Sequence, residues 1–223
     1  NSYEGSDGLV TNIKILDTLI HRARAKEIEI DGLVDYQTYY VKGIATSGDA
    51  LKDFNDSIHA TSLDDKLAEA YVYVMQHYLP GDRLYLFGFS RGAYTARVFA
   101  GVLRRCGVLS YAMSLGCPLH RARRLIAAHK KENFSQYYAI EDARTNLDRV
   151  SALPRLTPSS EKEVEVEIVV DGERERCSAV RGGVEFVGLF DTVMGPKFTL
   201  QTEMHYDSFC DTSFIKRSCH IIA

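Results

Sequence analysis

One stretch of the sequence, residues 83–97, constrains the fold more than any other part of the chain. Residues 83–89, RLYLFGF, form a nearly continuous apolar run of strand length. Such a run is typical of a strand buried on both faces of a parallel sheet. Apolar positions follow the helical period before the run, over 62–78, and after it, over 93–105. The order helix, buried strand, sharp turn, helix predicts the α/β class with a mostly parallel sheet and helices on both faces.

The turn after this strand reads Gly88-Phe89-Ser90-Arg91-Gly92, which matches the G-x-S-x-G pattern of a nucleophile elbow. In such a turn the hydroxyl of Ser90 is exposed at the carboxyl edge of the sheet as a candidate nucleophile. Gly88 and Gly92 are expected to be required because a Cβ would clash with neighbouring backbone. The amide of Arg91 is expected to face the developing oxyanion, supported by the helix dipole. The alternative is an ordinary strand-turn-helix junction in which Ser90 is only a small residue.

A serine nucleophile needs a base, and the base needs an acid that orients it. Asp191 is the predicted acid because it ends a second buried-strand pattern, VEFVGLF, at 184–190. It should therefore reach the same carboxyl edge as Ser90, where catalytic groups gather in open α/β sheets. The alternative role of Asp191 is to cap the turn that follows. Asp207 and Asp211 are weaker candidates because they lie in a less regular stretch.

The sequence does not single out the histidine that would act as the base. His205 and His220 follow Asp191, which agrees with the chain order Ser, Asp, His found with this elbow. Neither has a confirming motif, and His205 is expected in a loop. His220 is expected in a helix or strand and is kept as a weakly supported candidate base. Among the earlier histidines, His77 and His129 are expected on solvated helix faces.

Further elements are predicted from periodicity and from capping residues. Thr11 or Asn12 is expected to cap a helix that follows it, and Ser62 with Asp65 resembles a capping box at the start of the next helix. Residues 37–44 are rich in Tyr, Val and Thr, which predicts a strand.

The region between the nucleophile and acid elements, residues 110–182, is predicted to be an insertion. Residues 120–150 are charged and are predicted to form a helical, lid-like or peripheral part. The alternation around Asp171-Gly172 predicts a hairpin whose register places Glu167 opposite Arg176 as a cross-strand ion pair. The basic runs HRARRL and HKK in the helical part could contact anionic head groups, although a solvated helix face is the favoured interpretation.

Length and composition limit the remaining function classes. The 223 residues suffice for one domain with a sizeable core, and a net charge of -3 argues against a nucleic-acid partner. The five cysteines are odd in number and lack C-x-x-C spacing, so a disulfide framework or a structural zinc site is not expected. No other metal site is evident in the sequence, and no cofactor is expected. No apolar run of 18 residues predicts a transmembrane helix, and the first residues, NSYEGSDG, do not form a signal peptide. The expected location is the cytoplasm, or export without a classical signal peptide.

Four segments of the sequence resemble those of a known family. YLPGDRLYLFGFSRGAYTARVFAGVLRRCGVL closely resembles the α/β-hydrolase domain of the type-1-like phospholipase effectors of bacterial type VI secretion, a family with many bacterial and fungal members. VEFVGLFDTVMG resembles the second block of that family, with Phe190 in place of the usual Trp. TNIKIL and YYVKGIAT resemble early family segments, with Ala45 where a glycine is usual. The resemblance covers most of the chain outside the middle insertion.

The resemblance implies a single α/β-hydrolase-like domain and a serine hydrolase with a Ser-Asp-His triad. Ser90 matches the nucleophile and Asp191 the acid, and the implied substrates are phospholipids or related esters, with peripheral membrane contact. The family histidine lies in a later block, G-x-H-S-D-V-G-G, which this sequence lacks. The resemblance therefore implies that His220 matches a non-catalytic family histidine and that the base lies beyond Ala223. A family segment ending in D-G-T-W would also precede Asn1, so the domain is expected to be truncated at both ends.

Two further functions stay open from the sequence. The chain could be a non-catalytic member of the fold that serves in binding or assembly, since the family's histidine block is missing. It could also hydrolyse a different ester, a thioester or an amide, because pocket residues and not the elbow decide that choice.

Overall fold

The computed structural model describes residues 11–29, 35–42, 60–110, 117–138, 164–170, 173–180, 183–192 and 214–222. The helices in these segments are α1 (Asn12–Ala25), α2 (Ala60–His77), α3 (Arg91–Cys106) and α4 (Pro118–Tyr138). The strands are β1 (Arg83–Phe89), β2 (Val108–Leu109), β3 (Val164–Val170), β4 (Glu173–Val180), β5 (Gly183–Phe190) and β6 (Ile215–Ile221). None of the described helices combines the length and apolar character needed to cross a bilayer.

The chain divides into two compact units, residues 1–62 and residues 63–223. In the first unit, Thr11 caps α1 as predicted, because its hydroxyl accepts a hydrogen bond from the amide of Lys14 at 3.3 Å. Asp17 is the buried residue of α1 and binds Lys14 Nζ at 2.6 Å. Burial raises the pKa of Asp17, but hydrogen bonds from Lys14 and Thr38 outweigh it and the net pKa is lowered. The carboxylate therefore remains charged inside the unit.

The strand predicted for residues 37–44 is wrong for residues 37–42, which lie in the described segment 35–42 and form no strand. Strand propensity needs a neighbouring strand for its backbone hydrogen bonds, and these residues have no strand partner among the described segments. Side chains hold them instead: Tyr36 donates to the carbonyl of Ile28 at 2.9 Å, and Thr38 Oγ1 lies 2.8 Å from His21 Nε2. Residues 43 and 44 lie outside the described residues.

The second unit contains a parallel sheet with strand order β1-β5-β6, which confirms the predicted α/β class. The predicted bounds of β1 are confirmed, and α3 begins two residues earlier than predicted. The β1–β5 register shifts between Leu84 and Tyr85, so that Glu185 is an extra residue on β5. From Tyr85 onward the pairing is regular and ends with Phe89 opposite Phe190. The turn after β1 and the turn after β5 therefore begin at adjacent positions of the same sheet edge.

The core of the second unit is one cluster of buried apolar residues from α2, α3 and α4 and from strands of both sheets. α3 packs on β1 and β5, and α4 packs on α3 and β3. The hydroxyl of Tyr71 donates to the carbonyl of Gly107 at 2.8 Å and accepts from the amide of Leu109 at 3.1 Å, which links α2 to the end of α3. Large core residues are Leu67, Tyr71, Val98, Val102, Leu103, Leu125, Ile126, Val184 and Val187.

The capping box predicted at Ser62 is wrong, because α2 begins at Ala60 and Ser62 therefore lies inside its first turn. Asp65, the other member of that box, forms an ion pair with Arg123 of α4 at 2.9 Å. The capping pattern fits the local sequence, but the helix starts earlier than the periodicity indicates.

The region predicted as an insertion contributes an antiparallel sheet with strand order β2-β4-β3. The predicted hairpin register is confirmed, with Glu167 opposite Arg176, whereas the turn at Asp171-Gly172 lies outside the described residues. β2 lies just before the predicted start of this region at residue 110 and pairs with β4. The extent of the insertion, 110–182, stays a prediction.

The predicted helix at 120–150 is present as α4, and residues 139–150 lie outside the described part. The expectation of a solvated His129 is wrong, since only 1% of its surface is exposed. His129 lies on the same helical face as the buried residues Ala122, Leu125 and Ile126, at the i, i+3, i+4, i+7 spacing. Arg121 in the basic run is buried as well, so it cannot take part in a surface contact with head groups.

Candidate active site

Ser90 occupies the junction between β1 and α3, and its backbone is held on both sides. Its amide donates to the carbonyl of Phe190 at 2.8 Å, which extends the β1–β5 pairing by one residue. Its carbonyl accepts from the amides of Ala93 at 3.0 Å and Tyr94 at 3.3 Å, which starts α3. The strand and the helix therefore fix the position of this serine together.

The backbone of Ser90 is strained, with φ 55° and ψ −123°. These angles are close to the first central position of a type II′ turn, which normally requires glycine. A side chain held there costs about 1–3 kcal/mol and persists only where the surrounding structure enforces it. Ser90 also makes no side-chain capping hydrogen bond to α3, although serine commonly caps helices. Its hydroxyl therefore does not serve as the cap of α3.

Gly88 and Gly92 flank Ser90 but differ in why they are glycine. A Cβ on Gly88 would lie 2.3 Å from the carbonyl oxygen of Gly92 and 2.5 Å from Cα of Ala93, so any larger residue would push α3 away from β1. A Cβ on Gly92 meets no heavy atom within 4 Å among the described residues. The predicted crowding is confirmed at Gly88 and is wrong at Gly92, which faces outward at the start of the helix.

Arg91, whose amide is the predicted oxyanion donor, is the first residue of α3 and directly follows Ser90. The helix dipole adds positive potential at this end of α3. The role of the Arg91 amide as an oxyanion donor stays a prediction.

Asp191 directly follows β5 and lies at the same sheet edge as Ser90, as predicted. Its φ of 45° places it in the left-handed region, which aspartate tolerates better than most residues. Its amide donates to the carbonyl of Ile221 on β6 at 2.7 Å. The weaker acid candidates, Asp207 and Asp211, lie outside the described residues.

His220 lies on β6, opposite Leu189 in the register. Its Nε2 is hydrogen bonded to the hydroxyl of Thr192 at 2.9 Å. Neighbouring strands are about 4.8 Å apart, so the axes of β1 and β6 are about 10 Å apart. Among the described residues, no histidine is hydrogen bonded to the side chain of Ser90 or of Asp191. His205 lies outside the described residues.

Sequence reasoning missed an apolar row next to Ser90, formed by Phe89, Phe190 and Ile221. These residues are register partners across β1, β5 and β6, so their side chains share one face of the sheet. Because the Cβ direction of Gly88 points at α3, this row lies on the opposite face. Phe89 is 45% exposed, Ile221 51%, and Ile222, which follows, 76%. The apolar patterns of β1 and β5 predict that the carboxyl ends of these strands are buried. The exposed apolar row is recognised only once the strands are paired in three dimensions.

The described residues contain no group of three or more His, Cys, Asp or Glu side chains that could hold a metal ion. The described groups at this edge are a strained serine, the start of α3 and a carboxylate.

A family model for the type VI secretion system, described as "Phospholipase effector Tle1-like, catalytic domain", matches residues 1–223. The uncharacterized protein YEL023C of Saccharomyces cerevisiae is 45% identical over 85 residues, which are 32% of this chain and 12% of that protein. The chain thus spans a small part of that relative's length. No solved structure matches the chain.

Proposed function

Since the chain belongs to the family of Tle1-like phospholipase effector catalytic domains of type VI secretion, we propose that it is a serine hydrolase that cleaves carboxylic esters of phospholipids or similar lipids. The observation that carries this proposal is the strained Ser90 between β1 and α3. Strain of this kind clusters at active sites, because it aims one atom at a reacting group. Ser90 is also the residue that the G-x-S-x-G pattern assigns as nucleophile.

In the proposed reaction, Ser90 Oγ attacks the ester carbonyl carbon while a general base takes the hydroxyl proton. The resulting oxyanion is stabilised by the amide of Arg91 and the helix dipole. The carbonyl re-forms as the C–O bond to the alcohol breaks, and the alcohol leaves with the proton. Water then attacks the acyl carbon and gives a proton to the base. The bond between this carbon and Ser90 Oγ breaks, the base returns the proton to Oγ, and the fatty acid leaves.

Asp191 is proposed to orient the base histidine and to stabilise its protonated form. Its position on the strand next to β1 supports this role, because the turns carrying Ser90 and Asp191 leave the sheet side by side. The proposed base is a histidine outside the described residues, as the family pattern implies. This order of nucleophile and acid on neighbouring parallel strands also supports an α/β-hydrolase fold for the unit.

The apolar row supports a lipid ester over a polar one. Exposed Phe and Ile side chains beside a nucleophile favour contact with an acyl chain, because each buried apolar side chain contributes about 1.5–3 kcal/mol. The row says nothing about the position of the bond that is cleaved, and a different ester, a thioester or an amide remains an alternative substrate.

The test is fluorophosphonate labelling of the complete polypeptide that contains these residues, with the labelled peptide mapped by mass spectrometry. Labelling of Ser90, lost in Ser90→Ala, supports the proposal. Ser218→Ala is the matched control, because Ser218 is an exposed serine of β6 in the same sheet. A folded protein that is neither labelled nor active on any ester refutes the proposal. That outcome favours a non-catalytic binding role, for which the lack of a histidine bonded to Ser90 among the described residues is the supporting observation.

A further inference from the structure

Two hydrogen bonds connect the turn after β5 to β6. The amide of Asp191 donates to the carbonyl of Ile221 at 2.7 Å. One residue further on, the hydroxyl of Thr192 is bonded to Nε2 of His220 at 2.9 Å. The first bond joins two backbone groups and the second joins two side chains. Asp191 and Thr192 are adjacent residues after β5, and His220 and Ile221 are adjacent residues of β6. We call this pair of contacts the β6 clamp.

The β6 clamp lies where the backbone needs support. Asp191 has a φ of 45°, a conformation that a non-glycine residue keeps only when its neighbours enforce it. The direction of its side chain depends on this conformation. If the backbone bond of Asp191 were the only contact, the chain could still rotate at residue 192. The Thr192–His220 contact opposes this rotation because it fixes Thr192 to β6.

We propose that Thr192 and His220 are positioning residues that hold Asp191 in the orientation needed to align the catalytic base. This inference rests on the proposed function, in which Asp191 is the acid. It assigns His220 a role other than that of the base, in agreement with its bond to Thr192 and its place on a strand two positions from β1. His220 acts on the reaction only through the turn that carries Asp191.

The chemistry of the contact suits a clamp. A hydroxyl can both donate and accept, so Thr192 can pair with Nε2 of a neutral or of a protonated imidazole. The contact therefore survives a change in the charge of His220. A base, in contrast, must lose and regain its proton in each turnover, and replacing it removes that step entirely.

The experiment uses the complete polypeptide and measures kcat and KM on a lipid ester together with the rate of fluorophosphonate labelling. Thr192→Val and His220→Ala remove the contact, and each is expected to lower kcat about 10- to 100-fold with little change in KM. The double variant is expected to be no slower than the slower single variant, since both remove one contact. Thr192→Ser and His220→Gln keep hydrogen-bonding groups and are expected to restore most of the rate.

Cys219→Ala is the matched control, because Cys219 is the exposed neighbour of His220 on β6 and its kinetics should equal those of the wild type. If His220 were the base, His220→Ala and His220→Gln would both lose about 10³-fold or more while Thr192→Val stayed active, which would overturn the clamp. Unchanged rates in Thr192→Val and His220→Ala, with Ser90 labelled normally, overturn the clamp alone. Absence of labelling in the wild type overturns the proposed function itself. If His220→Ala does not fold, the comparison of Thr192→Val with Thr192→Ser tests the clamp, because these two variants leave the sequence of β6 unchanged.

Discussion

At the amino end of the parallel sheet charges are paired across the strands, whereas at its carboxyl end strained backbone and apolar side chains face solvent. At the amino end, Glu185 on β5 binds Lys216 Nζ at 2.8 Å and a terminal guanidinium nitrogen of Arg217 at 3.3 Å, both from β6. The charge of Arg83 on β1 also lowers the pKa of Glu185. The carboxylate of Glu185 therefore links β5 to β6 at this end of the sheet.

The carboxyl end has the opposite character. Ser90 and Asp191 both have positive φ, and Phe89 and Ile221 beside them are about half exposed. A positive φ at a non-glycine residue lowers the stability of the fold compared with a relaxed backbone, and an exposed apolar side chain lowers it compared with a buried one. This contrast between the two ends supports the proposal that the carboxyl end carries the function. Substitutions at the two ends should therefore separate activity from stability.

The largest effect is expected at the nucleophile. Ser90→Ala and Ser90→Gly both remove Oγ and should lower kcat at least about 10³-fold in an ester hydrolysis assay. The glycine variant should be about 1 kcal/mol more stable than the alanine variant in denaturant unfolding, because glycine adopts a φ of 55° without strain. Full activity in either variant, or an alanine variant as stable as the glycine one, contradicts the assignment of Ser90 as a strained nucleophile.

The two glycines of the elbow provide the next comparison. Gly88→Ala should destabilise the second unit by about 3 kcal/mol, since its Cβ would meet the backbone of α3 at 2.3 Å. Gly92→Ala is the control: its Cβ has space among the described residues, and alanine in a helix is about 0.5–1 kcal/mol more favourable than glycine. Equal losses in denaturation midpoint for the two variants would show that the contact at Gly88 relaxes easily.

The elements that sequence analysis predicted well are those that local chemistry determines. The apolar run of β1, the elbow glycine Gly88, the helix after Ser90 and the register around Asp171-Gly172 each depend on residues that are close in the chain. The position of Asp191 at the same sheet edge as Ser90 is predictable because a buried strand ends there and the strand ends of a parallel sheet share an edge.

The elements that sequence analysis missed depend on contacts between distant residues. The Tyr-rich residues 37–42 have strand propensity but no strand partner among the described segments. His129 is buried because α4 turns that face toward α3 and β3, which its charged neighbours do not indicate. The bond between Thr192 and His220 requires β6 to pair with β5, and nothing in the local sequence of either residue predicts that pairing.

The apolar row allows a test of substrate choice at the carboxyl end. Phe89→Ala should lower kcat/KM for long-chain esters about tenfold while acetyl esters are hydrolysed as by the wild type, because only long chains reach the row. Leu79→Ala is the control, since Leu79 is an exposed apolar residue that precedes the amino end of β1. The measurement is kcat/KM of each variant over a series of monomeric esters with acyl chains of increasing length. Equal losses for short and long esters would mean that Phe89 supports the elbow and does not contact the acyl chain.

The smallest effect is expected at the amino end of the sheet, where Glu185→Gln should lower the denaturation midpoint slightly at neutral pH and leave kcat unchanged. The hydrogen bond from Lys216 lowers the pKa of Glu185 and outweighs its partial burial, which raises it. A carboxyl whose pKa is lower in the folded state stabilises the fold above its unfolded pKa, and this contribution is lost as the pH falls through the folded pKa. The wild type and the variant should therefore converge in stability once the pH has fallen below the folded pKa of Glu185, which lies below the ordinary value of a glutamate. Asp65→Asn, which breaks the largely exposed pair with Arg123, should change neither midpoint nor rate. A loss of kcat in Glu185→Gln without a loss of stability would show that the two ends of the sheet are coupled and not separate in function.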